Sequence, residues 1–485
     1  MIEPTPRPEP MYPGEMTDGN IREIFQETGD FNIRRLLVSG QELFGYAIDG
    51  LTSGGDISEY VYKPLMERLT GGDMRQLYDR AWNAVVVNSV AVPCKSLDDV
   101  AIMLVNGFCV VLFPGVGALA FETKTGEKRG ISPPETENTA KGPKDAFVET
   151  VRTNTSLLRR HLRSPDLRLF ETKVGRRSLT LVTVAYIKGI TDPELVQRMK
   201  QRLDQIDVDG FLSPMAVEEY ITGSRATAFP LLQYTERADR FCQGLLEGRV
   251  GLLVDGLPVG YLAPVDIGTL MQSQEDLAKD YVSASCIRLL RYASLLISLL
   301  LPGFYIAMAI FHQEMIPLPL LRRVIESKQS VPFSTAVEVI GLLLAFELLQ
   351  ESGVHLPKAI GQSVSIIGGI VVGSAAVEAS LISPAALIVV SIAGICGFVL
   401  PNRDLADTVR MWRLGLAATA VIGGAFGLTA GLILLLIHLS GLESMGVAYL
   451  SPFTKRRNIG VLRDRLFRRK YRDPKFRATD RRNQR

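Results

Sequence analysis

The sequence predicts an α/β soluble N-terminal region of two lobes, followed by an α-helical polytopic membrane domain and a basic C-terminal tail. Three observations carry that reading. Charged residues crowd the first 280 positions and the last 32; nearly all long apolar runs fall between Tyr292 and Leu442; and the final stretch is strongly cationic.

At 485 residues and 47% apolar content, the chain is long enough for two or three domains with sizeable cores. Residues 1–20 hold five prolines and no apolar core of a signal peptide, so they read as a flexible leader. The first lobe, 21–135, alternates helical and strand-like segments. Ala84 to Val92 and Phe108 to Phe113 are short β-branched runs, Val116 to Thr123 alternates after Pro114-Gly115, and Leu97 to Asn106 is amphipathic. Mixed strand pairing is expected there.

A turn-rich segment, Gly130 to Pro143, opens the second lobe, 136–280. Ala146 to Arg160 reads as a helix. Leu167 to Val174 and Leu179 to Ile187 form a hairpin, Asp192 caps a helix with Pro193 in its first turn, and Val250 to Leu262 supplies a second strand pair.

The membrane domain, 281–445, contains apolar segments at about 289–311, 333–350, 360–377, 384–400 and 414–440. Pro302-Gly303 predicts a kink in the first. Residues 446–485 form a basic tail. From Thr454 onward it carries 14 Lys/Arg against 3 Asp/Glu, a local +11, so the rest of the chain sums to −8 within the net +3. The positive-inside rule places this tail, and with it the N-terminal lobes, in the cytoplasm, where it meets anionic membrane lipid or stays solvated. Ends on one side require an even number of crossings, so one segment re-enters, and 360–377 is the least hydrophobic.

The five cysteines show no CxxC pairing, and the four histidines are too dispersed for a metal site. Walker, HExxH and GxSxG motifs are absent, and Gly115-Val116-Gly117 lacks the rest of a dinucleotide fingerprint. No catalytic residue, cofactor or nucleic-acid partner is therefore assigned, and the expectation is a non-enzyme.

The informative residues lie in the apolar block, where an ionisable group costs about 2.5–3.5 kcal/mol unless compensated. Glu338 and Glu347, nine positions apart on one helix, need different neighbours: an aqueous path, a partner subunit or, for Glu347, the interface. His312 and Glu314 join them as gating or subunit-contact candidates in a proline-bracketed connection, and Asn402 to Arg413 reads as a charged connection. Gly361, Ser365, Gly369 and Gly373 recur every four residues, a face for close helix approach. Gln362, Ser363 and Ser374 add dipoles beside it. With Ile366 and Ile370 they form a candidate pore-lining or helix-packing segment.

Several stretches resemble one family, the A subunits of GerA-type spore germination receptors. They are Lys141 to Glu149 (KGPKDAFVE), Thr153-Asn154 with Leu157 to Arg160, Val174 to Ser178, Tyr186 to Ile190, Thr235 to Asp239 (TERAD) and Leu245 to Asp255. In the apolar half come His312 to Pro319 (HQEMIPLP), Val331 to Glu338, Leu356 to Gly369 and Tyr449 to Phe453. They run in order from about residue 30 to 455. The resemblance implies a subunit of a nutrient receptor in the spore inner membrane, partnered by a permease-like B subunit that holds the nutrient and a lipoprotein C subunit. It further implies a homo-oligomeric ring acting as a nutrient-gated ion channel; the competing reading is a non-conducting transducer or scaffold. Lys144 stands where the family pattern leads one to expect arginine, which keeps the charge but loses the planar fork.

Overall fold

A computed structural model describes residues 10–86, 90–124, 141–211, 213–223, 226–355 and 373–451, with single positions at 134, 136, 137, 139, 453, 466 and 467. The chain forms two compact units, Met1–Arg225 with Leu232–Pro264, and Ala226–Leu231 with Val265–Phe476.

The first unit contains two sheets. β1 (Phe31–Val38), β2 (Gln41–Ile48), β3 (Ala91–Cys94), β4 (Phe108–Phe113) and β5 (Gly117–Glu122) pair in the order β1-β2-β4-β5-β3. β6 (Leu167–Val174), β7 (Thr180–Ile187), β8 (Gln233–Thr235), β9 (Val250–Val254) and β10 (Gly260–Ala263) pair as β6-β7-β9-β10-β8. The second order is the first shifted by five, so one topology occurs twice. Every ladder is antiparallel, which corrects the expected mixed pairing. The reason is local: tight hairpins join β1 to β2, β4 to β5, β6 to β7 and β9 to β10, and a short reversal can join only antiparallel strands.

The repeat extends to the helix before each central hairpin. With α1 the N-terminal helix Asp18–Ile24 and other helical turns left unlabelled, α2 (Leu97–Val105) leads into β4 through Gly107 at φ 83. α5 (Ala238–Leu246), which follows α3 (Val151–His161) and α4 (Pro193–Asp204), leads into β9 through Gly248, also at φ 83. A left-handed residue just past a helix turns the chain back, and glycine adopts it without a Cβ clash. β4 is buried along its whole length, as a central strand covered on both faces should be.

Two expected elements move. Within Ala84 to Val92, Ala84 and Val85 belong to a π-turn that continues the preceding helix, residues 87–89 lie outside the described residues, and the strand Ala91–Cys94 follows. The helix read from Ala146 starts at Val151, where Asp255 accepts the first N–H at 2.9 Å. Cys94 and Cys109 lie in the two cores, and burial pushes both thiols up to about 12, so they act as small apolar groups.

The second unit is helical: α6 (Tyr281–Ile310), α7 (Leu318–Lys328), α8 (Thr335–His355), α9 (Gly373–Glu378), α10 (Pro384–Phe398) and α11 (Arg403–Gly441). Among the described residues, α6 and α11 are long and apolar enough to cross a membrane, and α10 is shorter. α6 begins eight residues earlier than read from sequence, because Asp280 caps it and Arg288 and Arg291 fold onto buried Asp276. Pro302 lies inside the continuous helix.

α11 corrects two expectations. The stretch from Asn402 to Arg413 is its first turns, capped by the Asn402 side chain, and not a connection. Nor is the remainder a single span. Gly423 (φ −130, ψ 15) and Gly424 (φ 58, ψ −136) leave helical geometry, and a Cβ placed on Gly431 would lie 2.8 Å from the Leu416 side chain. Fifteen helical residues span about 22 Å, so such contact demands reversal. The Trp412 and His438 rings, 5.7 Å apart, repeat the point lower down. α11 is thus a helical hairpin with arms 403–422 and 425–441, and α6 lies in the groove between them: Gly303 faces Leu416 and Ala420 of one arm and Leu428 of the other. Phe311, just past the end of α6, packs on Gly424 at the tip.

α8 and α10 run side by side in the same direction. Glu338 meets Ser383 at their starts, and Phe346 lies against Gly394 further along.

Candidate functional site

Glu338 stands at the first turn of α8 with its side chain sealed from solvent. Its Oε2 accepts the Ser383 N–H at 2.8 Å, and its Oε1 lies 3.3 Å from the Lys328 ammonium of α7. Ser383 is the N-cap of α10, where helix N–H groups are unpaired and the dipole favours an anion. Lys328 also donates to the Thr335 hydroxyl. Three helices therefore converge on one buried carboxylate, whose Oε1 accepts no hydrogen bond. The buried Tyr305 hydroxyl of α6 lies beside Ser383 and Glu338.

Glu347 lies nine residues on, which at 100° per residue is the opposite face of the helix. Its Oε1 accepts from Arg413 Nη2 at 2.8 Å, and its Oε2 sits 3.3 Å from Arg410 Nη1. Arg410 is also bound to Asp407. The i, i+3, i+6 spacing of Asp407, Arg410 and Arg413 puts all three on one face of the hairpin's first arm. The Arg413 side chain is fully buried, yet its Nε and Nη1 donate to nothing, and Gln350 Oε1 is a buried acceptor without a donor. This is an ionic lock with spare hydrogen-bonding capacity in an apolar bundle.

The other candidates are placed differently. His312 and Glu314 occupy an exposed turn, with His312 Nδ1 3.5 Å from Glu314 Oε1. Gly373 is buried beside Leu387, and Ser374 is exposed on α9. Gly361, Gln362, Ser363, Ser365, Ile366, Gly369 and Ile370 lie outside the described residues.

Sequence reasoning missed the cationic partners. Arg410 and Arg413 read as a loop, though their three-residue spacing about two to three turns after a helix cap was the available signal. Asp276, paired with Arg288 (2.9 Å) and Arg291 (2.8 Å), was hidden in a short helix of ordinary composition. In the sheet unit the missed residues are buried arginines. Arg159 makes a two-pronged pair with Asp30, Nε to Oδ2 at 2.9 Å and Nη2 to Oδ1 at 3.0 Å, and its Nη1 donates to the Leu167 carbonyl. Both side chains are 0% exposed, which makes this a cross-lobe bolt. Arg168 adds a bond to the Ile24 carbonyl at 2.6 Å. Arg237, inside TERAD, forks onto Asp239 and donates to the Thr139 hydroxyl and Pro143 carbonyl, pinning the KGPKDAFVE loop. Next to it, His161 Nε2 and Asp145 Oδ2 are 2.6 Å apart; the hydrogen bond raises the histidine and lowers the aspartate from their ordinary values.

Known proteins match most of the chain. The family model described as "Bacillus/Clostridium GerA spore germination protein" matches residues 19–479. Spore germination protein KA of Bacillus subtilis is 35% identical over 456 residues, covering 93% of this chain and 84% of the relative. Spore germination protein GerLA of Bacillus cereus is 31% identical, covering 90% of each, and the uncharacterized membrane protein YfkQ of Bacillus subtilis is 36% identical, covering 86% and 82%. Among solved structures, the N-terminal domain of the A subunit of the Bacillus megaterium spore germinant receptor GerK3 aligns with 50% of this chain and 91% of that one, at 26% identity and a TM-score of 0.39.

Proposed function

The chain belongs to the Bacillus/Clostridium GerA family of spore germination proteins, and from that premise we propose that it is the ion-conducting membrane subunit of a spore germinant receptor. It oligomerises as a ring in the spore inner membrane, with a permease-like B subunit that binds the nutrient and a lipoprotein C subunit. The observation that carries this reading is the set of paired charges inside the helical unit, Glu338 with Lys328 and Glu347 with Arg410 and Arg413. A mere anchor gains nothing from charges in an apolar bundle, whereas a subunit with closed and open states gains pairs that can be exchanged.

In the proposed topology α6, α8, α10 and the two α11 arms are the passes made by described residues. Phe311 at the end of α6 meets the α11 tip, so α6 starts and the second α11 arm ends at the same level, which the proposal assigns to the cytoplasm, with the α11 tip opposite. The candidate pore-lining segment from Gly361 to Ile370 lies outside the described residues, and the proposal keeps it as the pore wall formed by several subunits.

A second reading, a non-conducting transducer, draws support from Glu347 itself, since two arginines neutralise it instead of an open water path. Flux from potassium-loaded vesicles separates the two. With the full chain, the B and C subunits and nutrient, a channel gives potassium efflux that Glu347→Gln alters. Efflux equal to that of empty vesicles under every combination favours the transducer.

A further inference from the structure

We propose that α7 is a membrane-surface helix: it lies flat at the boundary of the bilayer, its apolar flanks among the outermost acyl segments and its arginines among anionic headgroups. This rests on the membrane reading above and adds a lipid-contacting surface beside the end of α6.

Exposed apolar side chains line α6 from Leu289 to Phe304, Ile310 and Phe311. That 23-residue stretch is about 34 Å long, close to the roughly 30 Å hydrocarbon core. His312, Gln313 and Glu314 then mark the polar boundary, and α7 starts four residues later. A helix leaving that point either continues away from the bilayer or lies along it.

The α7 pattern selects the second. At 100° per residue, Leu321, Val324 and Lys328 share a central line, and all three are partly buried toward the end of α6. Lys328 reaches down to Glu338, which ties the helix to the bundle. Leu318 and Ile325 flank one side of that line and Leu320 the other, at 61%, 46% and 54% exposure. Arg322, Arg323 and Glu326 occupy the opposite arc, all exposed. Flanking apolar residues on both sides of an anchored line, with cations above, are the arrangement of a helix in the interfacial plane. Met315 (68%) and Phe333 (48%), before and after α7, extend the same apolar rim. An aqueous position would leave all five large apolar side chains in water.

The test uses the full chain in nanodiscs of anionic lipid brominated on the acyl chains. Tryptophans are introduced one at a time by Leu320→Trp, Arg323→Trp and, as a reference on the α6 belt, Phe304→Trp. After subtracting the signal of the parent protein, the Leu320→Trp indole should lose about half its emission to bromolipid and the Arg323→Trp indole little. Quenching of Phe304→Trp without Leu320→Trp, or a blue-shifted but unquenched Leu320→Trp that marks protein cover, overturns the proposal. Absence of quenching at Phe304→Trp overturns instead the membrane reading beneath it.

Discussion

The two units treat buried charge in opposite ways. In the sheet unit, Arg159, Asp30 and Arg237 are buried, and the guanidinium nitrogens and carboxylate oxygens are all engaged. The buried side-chain atoms left unpaired there, among the described residues, are the neutral Thr123 and Thr183 hydroxyls. In the helical unit the unpaired atoms include, beside neutral hydroxyls such as that of Ser298, atoms of charged or strongly polar groups: Glu338 Oε1, Arg413 Nε and Nη1, Asp276 Oδ1 and Gln350 Oε1. A satisfied buried pair is committed to one geometry, while an unsatisfied one retains capacity for water, an ion or a neighbouring subunit. The sheet unit therefore closes its buried charges, and the helical unit leaves several with unused hydrogen-bonding capacity.

That contrast is broken or sharpened by substitution. The largest effect is expected at Arg159→Met, which strands the buried Asp30 carboxylate and should destabilise the sheet unit by about 3–5 kcal/mol. Urea unfolding followed by near-ultraviolet circular dichroism reads it, and an unchanged midpoint would remove the cross-lobe bolt from the account. Glu347→Gln strands two cations instead, at a cost of roughly 2–4 kcal/mol. Here Glu347→Gln combined with Arg413→Met should recover much of the loss, because the unmet donors leave with the arginine; additive losses in thermal melts would argue against an exchangeable lock.

Next in size is Gly424→Val at the hairpin tip. The φ of 58 with ψ of −136 is essentially glycine territory, and Phe311 already fills the space a Cβ needs. A penalty of about 1–3 kcal/mol is expected, with Gly415→Ala as a mild control in open space. The smallest effect is the pH dependence of the His161–Asp145 pair. The histidine is raised in the folded state, so its contribution is complete below about pH 6.5 and fades as pH rises through the folded value. The aspartate is lowered, so its contribution holds above about pH 4 and fades as pH falls through the folded value. Stability of the parent minus that of His161→Ala should peak between those limits, and a flat difference from pH 4 to 8 would show the pair to be inert.

Much of the sheet unit was legible from residues alone, because hairpins announce themselves locally. The Gly175 to Ser178 connection, Asp192-Pro193 and Asp255-Gly256 each carry turn or cap chemistry at one place in the chain. What was not legible is whatever depends on distant partners. The shared strand order of the two lobes leaves little trace beyond the paired Gly107 and Gly248, since topology is set by which β-branched run meets which. In the helical unit, apolar length located the helices, but the reversal at Gly423-Gly424 hid inside an unbroken small-and-apolar run. The partners of Glu338 and Glu347 lay 10 to 66 positions away, so their presence could be demanded by physics without being named.

In the proposed topology the helical unit enters and leaves the bilayer with both ends of α11 on one face. Single cysteines from Arg403→Cys, Phe426→Cys and Gly441→Cys, in a chain whose own five cysteines are replaced by serine or alanine, can be probed with a membrane-impermeant maleimide in oriented vesicles. The account predicts that Arg403→Cys and Gly441→Cys label from the same side and Phe426→Cys from the other. Labelling of Arg403→Cys and Gly441→Cys from opposite sides would restore a single crossing and contradict it.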